Sequence, residues 1–160
     1  MATKREKLLD WAEKAGLESI KLHHQAADDL GKEATTTLTV LLAGAGGALS
    51  YSAKAIDGGG ASPLAVSSGA ACVWLFVLCA ILVQKCLKVR DIAAQINEPL
   101  NLFQPEYDLD ALREVELKNL QERINQVRER NEKTAYWLNG VRLAAIATPA
   151  VGAIAWWLAS

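Results

Sequence analysis

The chain is poor in the residues that usually carry chemistry. It has 2 histidines, 3 cysteines and 1 methionine in 160 residues, and its 17 Lys and Arg nearly balance its 18 Asp and Glu. A net charge of -1 leaves no basic surplus to displace counterions from a phosphate backbone, which argues against a general nucleic-acid binder. Three cysteines cannot close a complete disulfide set, and Cys72, Cys79 and Cys86 all fall in or beside one apolar segment; this excludes a secreted disulfide framework. No Gly-rich loop follows a strand pattern, no metal-ligand set recurs, and no Ser or Cys nucleophile stands beside a matched His and acid. The expectation is a protein that is not an enzyme, with no catalytic residue, no metal and no cofactor.

Charge itself is missing, but only in places. Of the Asp, Glu, Lys and Arg residues, 33 lie in 1–33 or 85–142, leaving only Lys54 and Asp57 elsewhere. Residues 34–53, 58–84 and 143–160 carry none. Segregation on this scale is what a bilayer demands of its spanning helices. The predicted class is therefore an all-α membrane protein with three transmembrane helices and a cytosolic helical stalk. Its segments are a cytosolic amphipathic helix over 1–33, a transmembrane hairpin over 34–84 (spans 34–56 and 62–84), a cytosolic helical segment over 85–142, and a third span over 143–160.

The three spans differ in quality. The first is weakly hydrophobic, with threonines and serines near its ends and a Gly44-Ala-Gly46-Gly47 centre. Ala43/Gly47 and Gly44/Ala48 have the small-xxx-small spacing that lets a second helix approach closely, so Gly44 and Gly47 are candidate packing positions. Ala53-Lys54-Ala55 has the form of a signal cleavage site, but 33 residues with seven acids beside six bases are not a signal n-region. The second span contains Val73-Trp-Leu-Phe-Val-Leu-Cys-Ala-Ile-Leu-Val83 and stops at Lys85, Lys88 and Arg90. Asp57-Gly-Gly-Gly-Ala-Ser-Pro63 is a short turn-forming linker, which predicts an antiparallel hairpin. The third span is barely long enough, with Pro149 predicted to kink it and Trp156-Trp157 placed for an interface. Six Lys or Arg precede the first span, ten lie between the second and third, and one sits in the hairpin loop. Positive-inside bias then puts the N-terminus and 85–142 in the cytoplasm and the glycine loop and C-terminus outside.

Two charged helices are expected beside the spans. Leu9, Ala12, Gly16, Ile20, His23, Ala27 and Leu30 keep one face of the first helix small or apolar, and nothing breaks the run into the first span. Helix is expected to continue from the second span to Ile96; two prolines, Pro99 and Pro105, then make a connector, with Asp108 or Asp110 as N-cap. Leu117, Leu120, Ile124, Val127, Asn131, Thr134 and Leu138 step by three and four, a heptad seam with Asn131 as its polar register-setter. A seam buried within the protomer favours a switch, and an exposed one favours docking of a partner. The bland readings have weight elsewhere. Cys72, Cys79 and Cys86 share a face and are ordinary packing residues, with acylation of Cys86 as the sharper alternative. His23 and His24 point about 100° apart on a helix, so only His24 with Asp28 has ligand spacing, and two ligands are not a site. Asp28 and Asp29, with Lys32 and Glu33, near the start of the first span, are solvated interface charges, or else the acids pair with Arg128, Arg130, Lys133 or Arg142 in a joint whose basic residues could take an anion such as a nucleotide phosphate.

The order of segments, with Asp29-Leu-Gly-Lys32-Glu-Ala34 leading into the first span and Asn131-Glu-Lys133-Thr-Ala-Tyr136 leading toward the third, resembles the transmembrane effectors of the bacterial Pycsar anti-phage systems. The weak first span and the Pro149 break depart from that pattern. The resemblance implies a small inner-membrane protein that disrupts the bilayer, by forming a pore or otherwise, when a cyclic nucleotide made on infection reaches it. Together with the small-residue faces and the cysteine heptad, it points to a homo-oligomer in the lipid bilayer. The alternatives are a phage holin or superinfection-exclusion protein and a non-permeabilising scaffold that docks a partner through its heptad helix.

Overall fold

A computed structural model describes residues 3–57, 62–88 and 94–160. The described residues are helical throughout their regular structure, with no strand among them. Five helices follow in order: α1 (Lys4–Asp57), α2 (Pro63–Leu82) prolonged by a π-helical turn over Val83–Leu87, α3 (Pro99–Leu102), α4 (Leu109–Ile146) and α5 (Thr148–Ala159). The all-α expectation holds. The Gly58–Gly60 turn and Arg90 lie outside the described residues.

Local chemistry sets the helix ends. Thr3 and Glu6 form a reciprocal capping box at the start of α1: Glu6 N donates to Thr3 Oγ1 at 3.2 Å, and Thr3 N donates to the Glu6 carboxylate. No proline precedes Pro63, so nothing interrupts α1 once started. Ser62 caps α2 by accepting from Ala65 N at 3.2 Å, and Pro63 occupies the first turn, where its missing donor costs nothing. Asp108, one of the two expected caps, accepts from Ala111 N at 3.3 Å. The expected continuation of helix to Ile96 fails. The helical run ends at Leu87 and residues 94–98 are irregular; Pro99 accounts for Glu98 alone, the residue before it, which is extended.

The contacts divide the chain into two units. One contains residues 3–29 and 94–133; the other contains 30–57, 62–88 and 134–160. The expected segment boundaries at 33/34 and 142/143 lie four and nine residues beyond these divisions.

In the second unit, Ala34, Leu41 and Ala45 of α1, Leu75, Leu78, Cys79 and Leu82 of α2, and Leu138 and Val141 of α4 make one buried cluster. Gly44 is where α1 comes close to α2: a Cβ there would stand 3.3 Å from Leu75 Cδ1. Gly47, its expected companion, has no atom within 4 Å of the Cβ position, because the helix turns that face outward. Cys72 and Cys79 are buried, and half-buried Cys86 directs its thiol at Thr134 O, 3.7 Å away. All three cysteines are free packing residues.

Polar groups in this unit are spent on backbone carbonyls. Thr35, Thr36, Thr37, Thr39 and Ser50 each donate to the carbonyl four residues back, at 2.8–3.0 Å, which removes the hydrogen-bonding demand of an otherwise polar stretch. Between helices, Ser52 donates to Ala65 O at 3.0 Å, Ser67 to Gly152 O at 2.8 Å, and Trp74 Nε1 to Ala144 O at 3.1 Å. The expected kink at Pro149 is present: α4 and α5 meet at 43° across Ala147. Pro149 cannot donate to Ala145 O, and Thr148 supplies the replacement at 2.7 Å.

By length and apolarity, Pro63–Leu87 is the one described helix that qualifies alone as a membrane span, with hydropathy 2.4; α4 with α5 qualifies only if the bent pair is counted as one. Only 22% of the apolar window of Pro63–Leu87 is covered by the rest of the chain, unlike the core helix of a soluble protein. The 34–56 stretch does not qualify, because its threonines and glycines dilute its hydropathy.

Gly152 sets the α2–α5 approach. A Cβ there would meet Ser67 Oγ at 3.1 Å. Gly152→Val is expected to break the Ser67 bond and push α5 off α2, lowering stability by ~1–3 kcal/mol. Thermal unfolding in detergent micelles checks it, with Gly31→Ala as a control, since Gly31 has nothing within 4 Å of its Cβ position.

Candidate functional site

The first unit pairs α1 with α4 over three successive contacts. At one end, Arg113 grips α1 with a two-pronged bond to Glu13, Nε to Oε1 at 2.7 Å and Nη2 to Oε2 at 2.8 Å, and with a bond to Asp10. Arg5 adds a bond to Glu114 at 2.7 Å. In the middle, Ile20, Leu120 and Ile124 form a buried cluster with Ile20 fully enclosed, made possible by Gly16, whose missing Cβ would stand 2.6 Å from Leu120 Cδ2. At the far end, the Asn131 amide donates to His23 O at 2.8 Å. Since Arg113 meets Glu13 and Asn131 meets His23, the two helices run parallel. The seam read from the sequence faces inward at Leu120, Ile124 and Val127, which are buried, and its polar position Asn131 is the one bonded to the His23 carbonyl.

Between the ion-pair clasp and the Asn131 contact lies a cleft of about 380 Å³. Its polar lining comes from Ser19 and His23 on α1 and from Gln121 and Arg128 on α4; Gly16 and Ile124 form part of its floor. No acidic residue lines it. Arg128 is more than half exposed, and its Nε is 3.9 Å from Glu132, too long for a strong bond. The guanidinium, imidazole, amide and hydroxyl around this space are groups that can donate hydrogen bonds to a small anion.

The sequence candidates fall in different places. Asp29, Arg128, Arg130 and Lys133 belong to this unit, whereas Lys32 and Arg142 belong to the other. Only Arg128 lines the cleft. Lys133 is taken by Glu129 at 2.6 Å. Arg142 is taken by Glu33 at 2.9 Å, and its Nε donates to Thr37 Oγ1 at 3.2 Å. Asp29 and Lys32 are both engaged. Arg130 is half-buried, and its Nη1 has no hydrogen-bond partner among the described residues; the same holds for His24 Nε2. No three His, Cys, Asp or Glu side chains among the described residues gather as metal ligands. Ser19 and Gln121 were missed because neither stands out in a helix of polar residues. The available signal was Gly16, whose missing side chain lets Leu120 of the seam close on α1 beside the cleft.

A separate ion pair braces α4. Arg123 Nη2 donates to Glu116 Oε1 at 2.6 Å, and Asn97 Nδ2 donates to Glu116 Oε2 at 3.1 Å. Burial pushes the Glu116 carboxyl up, but the bonds from Arg123 and Asn97 outweigh it and hold the group below its ordinary value. A carboxyl depressed in the folded state contributes stability that is present above its unfolded value and lost as pH falls through the folded one. The chain is therefore expected to lose thermal stability as pH falls below 4.5, and Glu116→Gln to flatten that loss. Unfolding temperatures of both forms across the acid range check it.

No family model, curated protein sequence or solved structure matches the chain. A functional reading therefore rests on its own residues.

Proposed function

We propose that the chain is an inner-membrane effector of bacterial anti-phage defence, oligomeric and not an enzyme, that disrupts membrane integrity when a cytosolic signal repacks its charged helices. In this reading α2 spans the bilayer, 34–56 and the bent 143–160 segment cross beside it, and the first unit faces the cytoplasm. The observation that carries it is the inward-facing seam. Leu120, Ile124 and Val127 are buried within the protomer, so this face is not free to dock a partner, which favours a switch over a scaffold. The 380 Å³ cleft beside the seam gives a signal somewhere to act.

The mechanism follows from helix continuity. α1 and α4 each supply residues to both units. A negatively charged ligand bridging Arg128 with His23 or Ser19 would favour one α1–α4 packing over another by its differential contacts, and an unbroken helix carries that change into the apolar unit. There the interhelical bonds of Ser52, Ser67 and Trp74, worth ~0.6–2 kcal/mol each in a membrane, are few enough to be rearranged. A cyclic nucleotide has the anionic phosphate and polar ring that such a cleft suits.

Dye release from liposomes containing the purified chain tests this, alone and with a panel of cyclic nucleotides. Release with one nucleotide is the expected result. Release with nothing added favours the holin reading, and silence from correctly inserted protein favours the scaffold.

A further inference from the structure

The two ends of the second unit carry unequal charge. At one end Lys54 and Asp57 offset each other; at the other, Lys32, Lys85, Lys88 and Arg142 stand against one acid, Glu33. Contacts gather that second end: Arg142 bonds Glu33 at 2.9 Å, and Cys86 reaches Thr134 O at 3.7 Å. Glu33 is thereby taken, and Asp57 lies 24 residues further along α1, about 36 Å at 1.5 Å per residue. Lys85 and Lys88 are exposed, and neither joins an ion pair among the described residues. Lys85 instead lays its ammonium over the Trp137 indole, with Nζ 5.1 Å from the ring centre. A cation on an aromatic face keeps its charge, so the contact fixes where that charge sits without neutralising it. Trp137 and its edge-on neighbour Tyr136 are themselves exposed.

We propose that Lys85, Lys88 and Trp137 bind the headgroup of an anionic phospholipid where α2 leaves the bilayer. The proposal rests on the reading of α2 as a span. A lipid phosphodiester supplies the negative charge this end lacks, and basic residues just cytoplasmic of a span attract such headgroups. Indole rings favour the same level of the membrane. Exposed Phe76, Val77 and Val83 on α2 offer the acyl chains an apolar surface. A free phosphate has the same charge but no such anchor. Two solvated lysines alone hold an ion weakly in water, whereas acyl chains keep the headgroup at high local concentration. The occupant is therefore a lipid.

Native mass spectrometry of the full chain released from detergent micelles resolves single lipid adducts. The first phosphatidylglycerol is expected to bind about fivefold more tightly than the first phosphatidylcholine, the factor that ~1 kcal/mol produces. Lys85→Gln combined with Lys88→Gln is expected to remove that preference. Trp137→Leu, which keeps both charges and loses the ring, is expected to lower it about twofold. Lys54→Gln, at the opposite end and also exposed, should leave it unchanged. Soluble glycerol phosphate is expected not to displace the phosphatidylglycerol, and displacement would overturn the assignment to a lipid. Equal affinities for the two lipids, or a preference that survives the double glutamine variant, overturn the proposal while leaving α2 a span. No adduct of either lipid overturns the proposal together with the reading of α2. A preference unchanged by Trp137→Leu overturns the indole's part in the site.

Discussion

Replacing Leu120 or Ile124 with aspartate is expected to separate α1 from α4 in the charged unit. Both side chains are at most 6% exposed and pack on Ile20, which is fully enclosed. Truncation alone, Leu120→Ala, removes apolar contacts and leaves a cavity, at a cost of ~2–5 kcal/mol. Aspartate adds a buried charge with no cation in the cluster, and unpaired buried charges are among the few changes that unfold a marginal unit outright. The Arg113 clasp cannot compensate, since exposed ion pairs contribute little. Limited proteolysis is the readout: cleavage within 4–29 and 109–133 should become rapid, while Pro63–Leu87 stays protected. Gln121→Asp, one residue away and exposed, should leave the pattern unchanged.

The second large effect is placed in α2. Val73 and Val77 are one helical turn apart and exposed, at 64% and 46%. If Pro63–Leu87 spans a bilayer, both face lipid near its middle, and each change to arginine disfavours insertion by ~2.5–3.5 kcal/mol. On a soluble protein the same exposed positions would tolerate arginine within ~0.5 kcal/mol. The double variant should therefore leave the carbonate-resistant membrane fraction that holds the wild type. A double variant still in that fraction, or a wild type never found there, would contradict the spanning role of α2. The paired change Ser68→Arg and Ala71→Arg is unsuitable for this purpose, since both positions are partly covered by the protein itself.

The sequence was most legible where one physical demand dominated. The seam at Leu120, Ile124 and Val127 was visible as steps of three and four because burial constrains each of those positions, the first two by packing on Ile20 of α1. Asn131 could be read as a polar register-setter before its partner, the His23 carbonyl, was known. Pro149 announced a break, since proline removes a helical donor wherever it falls. Other features had no such marker. The run after Leu87 looked helical through Ile96 because no breaker lies inside it, yet the described helix stops at Leu87 and residues 94–98 are irregular, which no residue inside the run signals. Gly44 and Gly47 look alike in sequence, and only the placement of Leu75 distinguishes the packed glycine from the open one. The site was the least legible. The basic residues nearest the spans drew attention as a cluster, but Lys133 and Arg142 are taken up by Glu129 and Glu33. The cleft is built instead around Gly16 from ordinary polar residues whose proximity depends on tertiary packing. Charge density marked where the helices are solvated, while the absence of a side chain at Gly16 marked where Leu120 packs close against α1.

The central claim is that packing of α1 on α4 in the charged unit controls permeability in the apolar one. Its most direct test is dye release from liposomes carrying the wild type or the Leu120→Asp, Ile124→Asp double variant, each with and without the cyclic nucleotide that triggers the wild type. The account predicts that the double variant loses nucleotide dependence, either silent or leaking under both conditions. Nucleotide-dependent release equal to that of the wild type would contradict it, because the seam would then not be the element through which the signal acts.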